Sequence, residues 1–272
     1  MSNLQGVAQP SSQFIESRAF YIGASLMCGL LLVTILSLAL TEGSTAGKLI
    51  LDMTSDDQTF PYPFTIQNFL FLLLAAGIGD VAYRRSCIGR ELRALASSLL
   101  PEEDQSMVTP DDVPGLRRKV RSSSTYAPGY VCTLIDESLT YFQSNRSAAN
   151  THQLLNSLID LELHRVDLRY TLLRYLCWVV PTIGFIGTVV GIAGGLSYMT
   201  FGTEAADAAT QMKPVIDSLA LAFNTTIMAL IFSAILVQLT QSAQQKEEEA
   251  INSASEYCLR NLINRLYSPT SS

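Results

Sequence analysis

The chain has 272 residues, 48% of them hydrophobic and 15% charged, with a net charge of −6. A soluble globular domain carries about 25% charged residues, so this composition and the positive mean hydropathy argue for a membrane protein. The acidic balance and the lack of a long basic stripe argue against a nucleic-acid binder. Five cysteines without CxxC spacing indicate neither a disulfide framework nor a zinc site.

Met1–Ser17 is polar, with no basic region ahead of the first apolar run, and no small-residue cleavage motif follows that run cleanly. Phe20–Leu40 therefore reads as a retained span, not a signal peptide. A bilayer core takes about 20 apolar residues per helix. Four stretches without Asp, Glu, Lys or Arg reach that length: Ala19–Thr41, Gln58–Gly79, Tyr175–Thr203 and Ser218–Gln245. The second ends at Asp80, the third is rich in Gly, and the fourth is apolar apart from Asn224-Thr225-Thr226.

Orientation follows from where Lys and Arg sit. Lys48 is alone among acidic residues (Glu42, Asp52, Asp56, Asp57) in the Leu40–Gln58 loop, and Lys213 follows Glu204 and Asp207 after the third span. The other 16 of the 18 basic residues lie in the N-terminal segment, the middle region and the tail. Both termini and the middle region are therefore expected in the cytoplasm. Cys87, Cys132 and Cys258 then fall on the reducing side, Cys28 and Cys177 lie in or beside spans, and all five read as packing residues.

Arg84–Leu100 continues from the second span with helical character and is expected to stop at Pro101. Between Pro101 and Gly129, Pro110, Pro114 and Pro128 alternate with acidic Glu102–Asp104 and basic Arg117–Arg121. This predicts a short helix flanked by loops, or a mobile segment. The run Arg117-Arg118-Lys119 is either a solvated face or a patch for a partner or anionic lipid. From Tyr130 the pattern is helical into the membrane, with Leu134, Leu139, Phe142, Leu154, Leu155, Leu158, Leu161 and Leu168 as its apolar set. Gln241–Tyr267 reads as an amphipathic helix through Ile251, Tyr257, Leu259, Leu262 and Leu266. His152 and His164 stand apart from any cysteine or fixed carboxylate set, and no hydrolase, nucleotide-binding or metalloprotease motif occurs, so nothing supports an enzyme. The expected divisions are 1–18 (cytoplasmic), 19–83 (spans one and two), 84–173 (cytoplasmic helical), 174–240 (spans three and four) and 241–272 (cytoplasmic helix). The fold class is all-α, a polytopic protein with four transmembrane helices, the last two extended into the cytoplasm.

Polar groups inside hydrocarbon carry the most information, because lipid offers them no partners. In the third span Gly184, Thr188, Gly191 and Gly195 follow 4-3-4 spacing and fall within about 60° on one helical face. Ala222, Thr226, Ala229 and Ser233 repeat that spacing in the fourth. Each stripe permits close helix approach and carries one threonine near mid-membrane. Plain helix packing, with each threonine bonded to its own i−4 carbonyl, is the simpler account of such a stripe.

The string Pro181-Thr-Ile-Gly-Phe-Ile-Gly-Thr-Val-Val-Gly-Ile192 resembles the P-x-x-G-x-x-G-T-V-x-G-I stretch of the MotA/TolQ/ExbB proton channel superfamily. Ala222-Phe-Asn-Thr-Thr-Ile-Met-Ala-Leu230 is similar to its A-x-x-x-T-x-x-G/A-L element. The resemblance covers Arg174 to Gln241. It implies a homopentamer in the bacterial inner membrane whose last two helices line a pore. Two copies of a MotB-, ExbD- or TolR-like single-span partner would each bring an ion-carrying aspartate. Thr188 and Thr226 would line the ion pathway, with Thr225 as a further candidate. Pro181 would free a carbonyl and bend its helix, while Gly184, Gly187, Gly191, Gly195, Ala222, Ala229 and Ser233 would pack the pore helices. No cofactor is implied, only a transported H+ or Na+. Leu221 replaces a glutamate frequent in ExbB- and TolQ-like sequences, so the ionisable group must come from the partner. The Thr225-Thr226 pair resembles sodium-driven members, yet Thr225 lies about 100° from Thr226 on the helix, and protons are favoured. Asp80 is expected at the interface near Arg84, or in a peripheral relay, and Asn224 in an intersubunit hydrogen bond. A non-conducting tetraspan scaffold is the alternative function. Four spans with a large middle region look like MotA, while the motifs look closer to TolQ and ExbB. A tail ending at Ser272 is too short for the cytoplasmic extension of Zorya-type subunits.

Overall fold

The computed structural model describes residues 12–40, 47, 50, 51, 63–102, 107–122, 129–197 and 205–267. Most of the loop around Lys48, as well as Glu103, Asp104, Pro128 and Glu204, and the side chain of Asp207, lies outside this set. Seven α-helices make up the described chain: α1 (Ser12–Ala39), α2 (Ile66–Leu95), α3 (Val113–Ser122), α4 (Tyr130–Asn145), α5 (Ala148–Arg169), α6 (Thr171–Ser197) and α7 (Ala205–Asn261). A short 3-10 turn, Ile263–Arg265, follows. Among the described residues the β structure is a single bridge, Val108 to Leu266. Stretches long and apolar enough to cross a membrane lie within Ser17–Ala39, Ile66–Leu95, Ala148–Ser197 and Met212–Arg265. The protein is a multi-pass, all-α membrane protein.

The chain divides into two units, one from Met1–Tyr83 with Leu172–Thr240, the other from Arg84–Thr171 with Gln241–Ser272. In the first, α1 is apolar around its circumference and leaves Phe20, Met27, Leu31, Ile35 and Leu38 exposed, as a lipid-facing helix does. It packs closely against α2. A Cβ on Gly29 would lie 2.7 Å from the Ala75 Cβ, and one on Gly79 would lie 2.8 Å from the Ser25 Cβ. The Ser25 hydroxyl donates to the Ala75 carbonyl across this seam. Midway along α2, the Arg18 Nε donates to Asp80 at 2.7 Å, and Tyr21 leans on Tyr83. Thr65 caps α2, its hydroxyl accepting from the Asn68 N–H at 3.3 Å. The opposite face of α2 packs through Leu70, which clusters with Val180, Met228, Ala229 and Phe232.

The second unit is built from helices with capped ends. The chain reverses before Pro101: α2 closes at Leu95, and Ser98 adopts a left-handed φ of 48°. A left-handed residue past the last turn stops a helix without any proline. Pro114, expected to break structure, sits in the first turn of α3, where its missing N–H leaves no helical bond unmade. The helix expected to run unbroken from Tyr130 is interrupted twice. Arg146, at φ 48°, sends its N–H to the Phe142 carbonyl and ends α4, and Ser147 accepts from the Asn150 N–H to start α5. Tyr170, at φ −87° and ψ 0°, separates α5 from α6. Gly129 brings no side chain to cap α4; instead the Glu91 Oε2 accepts from the Val131 N–H at 3.2 Å.

The basic run is partly drawn into this unit. Arg117 and Arg121 donate to Asp136 at 2.8 and 2.7 Å, and Lys119 donates to the Ser98 carbonyl at 2.9 Å. Burial of Asp136 opposes its ionisation, but the hydrogen bonds from Arg121 and Arg117 outweigh it and hold the carboxyl below its ordinary range. Arg169 bridges Glu162 at 2.9 Å and Glu247 at 2.8 Å, which ties α5 to the tail segment of α7. Arg84 lies 4.5 Å over the Tyr170 ring and donates to the Arg169 carbonyl. His152 and His164 are both exposed on α5.

Candidate functional site

The two small-residue stripes face each other. Gly184 is placed so that a Cβ would strike the Ala229 Cβ; at Gly191 it would lie 2.7 Å from the Ala222 Cβ, and at Gly195 3.3 Å from the Ser218 Cβ. Glycine is required at Gly184 and Gly191 for this close approach, because any side chain would wedge α6 and α7 apart. At that separation the hydroxyls of Thr188 and Thr226 are hydrogen-bonded to each other. Both are also close to the Gly184 carbonyl, Thr188 at 3.2 Å and Thr226 at 3.0 Å. The Ala222 carbonyl lies 3.4 Å from the Thr188 hydroxyl and 3.5 Å from that of Thr226. Four oxygens thus converge with two hydroxyl protons between them. Each hydroxyl can donate once and accept twice, so either threonine can donate to the other while its partner donates to a carbonyl. Reversing that direction moves no heavy atom. Both side chains are half-buried in the seam.

Thr225 takes another position. It is 2% exposed, donates to the Ala222 carbonyl at 2.8 Å, and places Oγ1 2.6 Å from where a Cβ on Gly187 would stand. Its neighbour there is Ile66 of α2, 3.3 Å from the same point. Gly187 therefore serves a different contact from the Gly184–Gly191–Gly195 stripe. Asn224 is half-buried.

Pro181 lies inside α6. Having no N–H, it leaves the carbonyl of Cys177, four residues earlier, without its helical donor. The Ser233 hydroxyl of α7 fills that role, donating to the Cys177 carbonyl at 3.1 Å. Ser233 thus has a defined partner, which its stripe position alone does not reveal. Behind the pair, Phe71 of α2 meets the Phe232 ring at 4.8 Å, and a Cβ on Gly77 would lie 2.5 Å from a Leu236 methyl.

Residues 130–256, which include both stripes, match the profile of the MotA/TolQ/ExbB proton channel family. That match supports the MotA/TolQ/ExbB superfamily to which the motifs point. The match begins at the first residue of α4 and so extends well beyond the Arg174–Gln241 region in which the motifs are legible. MotA/TolQ/ExbB proteins are channel-type membrane proteins, not enzymes, and act in complexes with single-span partners. Comparison with curated proteins and with solved structures gives no match.

Three features of the transmembrane unit escape motif reading. Asp80, 1% exposed, pairs with Arg18 from α1; a carboxylate and a guanidinium at opposite ends of two hydrophobic runs give no local signal. The Ser233–Cys177 bond is another. The third is Gln67, fully buried in the first turn of α2. A polar amide within an otherwise apolar run is the sequence signal that marks it.

Proposed function

We propose that this chain is the channel-forming subunit of a proton-driven motor in the bacterial inner membrane. Five copies would surround two single-span partners, with both termini of each copy in the cytoplasm. The observation that carries this reading is the Thr188–Thr226 hydroxyl pair, set among backbone carbonyls in the seam of the two family-type helices. Hydroxyls that can reverse their hydrogen-bond direction suit a site that must solvate a carboxyl in both protonation states. A partner aspartate arriving there as COOH needs an acceptor, and as COO⁻ it needs donors. One charge crossing 100 mV releases about 2.3 kcal/mol, which neutralisation of the aspartate would couple to rotation of the subunits about the partner.

The position of Thr225 supports protons over sodium. Its hydroxyl is directed to the Ala222 carbonyl and Gly187, so it does not join Thr188 and Thr226 in one cage of oxygen ligands. A hard cation needs several oxygens around it at once. The interlocked glycine and alanine stripes favour a second reading, a scaffold in which the threonines only pack.

Proton uptake by vesicles holding the complex with its single-span partner separates these readings. Thr188→Val and Thr226→Val keep the side-chain shape. The channel reading expects assembled complexes that no longer conduct. Unchanged uptake in both variants would leave the scaffold, and uptake that needs sodium and ignores a pH gradient would refute the proton assignment.

A further inference from the structure

Gln67 has 0% exposure, and among the described residues neither its Oε1 nor its Nε2 has a hydrogen-bond partner. The adjoining polar side chains are engaged in part: the Thr65 hydroxyl donates to the Leu51 carbonyl at 3.4 Å, and the Asn68 Nδ2 donates to the Pro63 carbonyl at 2.8 Å, while the Asn68 Oδ1 is buried without a partner among the described residues. Buried amides are nearly always satisfied, by protein or by ordered water. A polar group inside an apolar span is retained against its desolvation cost, which marks it as functional.

Two independent contacts set the depth of Gln67. It shares a face of α2 with Leu70, Phe71 and Leu74, three, four and seven residues on. Leu70 clusters with Ala229, Phe71 meets Phe232, and Gly77 meets Leu236, so α2 and α7 run in the same direction. Gln67 lies one turn before Leu70 and Phe71, and Thr225 lies one turn before Ala229. The second contact is at Gly187, where Ile66 and Thr225 converge on the position its Cβ would take. At that position α6 contributes no side chain to cover the polar atoms.

We propose that Gln67 is a further polar member of the threonine site, its amide binding a water that hydrates the level of Thr225 and Thr226 from the side of α2. An amide suits water, which accepts from Nε2 and donates to Oε1. A bare cation would leave Nε2 unanswered. The Thr225 hydroxyl, its proton directed to the Ala222 carbonyl, keeps lone pairs that such a water can reach. The role of this water in conduction rests on the channel reading; its binding does not.

The test uses Gln67→Leu and Gln67→Glu in the complex with its single-span partner, reading proton uptake in vesicles and the thermal midpoint. Gln67→Leu is expected to assemble and to lose uptake by about tenfold, the effect of one hydrogen-bonding group, with a midpoint that is level or lower. Gln67→Glu is expected to conduct with a pH dependence that the parent lacks, because a titrating group then sits on the path. If Leu impairs assembly, Gln67→Met keeps the length and is read in the same way. Full uptake together with a raised midpoint in the apolar variant would overturn the inference, since that is the outcome of deleting an unpartnered amide. Thr188→Val and Thr226→Val in the same vesicles keep the two readings apart. Lost uptake there with full uptake in Gln67→Leu sinks the Gln67 role alone. Unchanged uptake in the threonine variants sinks the channel, and the midpoint alone then decides the water: raised, it is refuted; level or lower, it stands.

Discussion

The hydroxyl of Ser233 donates to the carbonyl of Cys177 at 3.1 Å, the carbonyl that Pro181 leaves without its helical donor. The carbonyl that Pro181 leaves free in α6 is thus held by a side chain of α7. Ser233→Ala is expected to cost about 1 kcal/mol, in the range of interhelical hydrogen bonds in membranes. In a Pro181→Ala background the helix can supply its own donor, and the cost of Ser233→Ala should shrink toward zero. A double-mutant cycle on unfolding in mixed micelles measures the coupling, and equal costs in both backgrounds would show that the two residues act separately.

Gly184 and Ala229 occupy one contact from opposite sides. Gly184→Ala should overpack the seam and destabilise by about 1–3 kcal/mol. Ala229→Gly should recover part of that loss by removing the opposing methyl. The same compensation is expected for Gly191→Ala with Ala222→Gly, read as the thermal midpoint of each pair against its singles. Absence of rescue in both pairs would mean that the stripes do not meet.

Because Thr188 and Thr226 share one hydrogen-bonded cluster, their losses should not add. Either valine substitution alone should remove most of the proton uptake, and the double variant should lose little more. Thr188→Ser keeps the hydroxyl and should retain uptake within about threefold, since only a methyl contact is lost. Multiplicative losses in the double variant would point to two independent sites.

Asp136 anchors α3 through Arg117 and Arg121. Its carboxyl is held below the ordinary 3.8, so the stabilisation is fully present above that value and is lost as pH falls through the lower, folded-state pKa. Arg121 is more than half exposed, and solvent screening reduces the contribution to about 0.5–1 kcal/mol. Asp136→Asn should therefore loosen α3 at neutral pH. Limited trypsin digestion at Arg117, Arg118, Lys119 and Arg121 should quicken in that variant, and in the parent only on strong acidification. Equal digestion rates at pH 7 would show that the pairs do not hold the helix.

Much of the fold is readable from the chain because a bilayer turns burial into a property of single residues. Each of the four apolar stretches is helical over most of its described residues. The helices of the second unit are less legible. Pro101 predicts the stop of α2, yet the helix ends at Leu95 and Ser98, at φ 48°, precedes the proline. The breaks at Arg146 and Tyr170 leave no proline or glycine to mark them. Asp80 accepts a hydrogen bond from Arg18, 62 residues away in the sequence.

The threonine stripes follow the same division. Spacing by itself placed Thr188 with Gly184, Gly191 and Gly195, and Thr226 with Ala222, Ala229 and Ser233, because 100° per residue is a local rule. That the two stripes meet, so that the hydroxyls touch, depends on which helices are neighbours and at what depth. Tertiary packing also decided that Thr225 faces Gly187, that Ser233 takes the Cys177 carbonyl, and that Gln67 is buried without a partner among the described residues. Hydropathy and helical period act within one helix, while a hydrogen bond between helices requires their axial register, which arises only when glycine and alanine interlock across the seam.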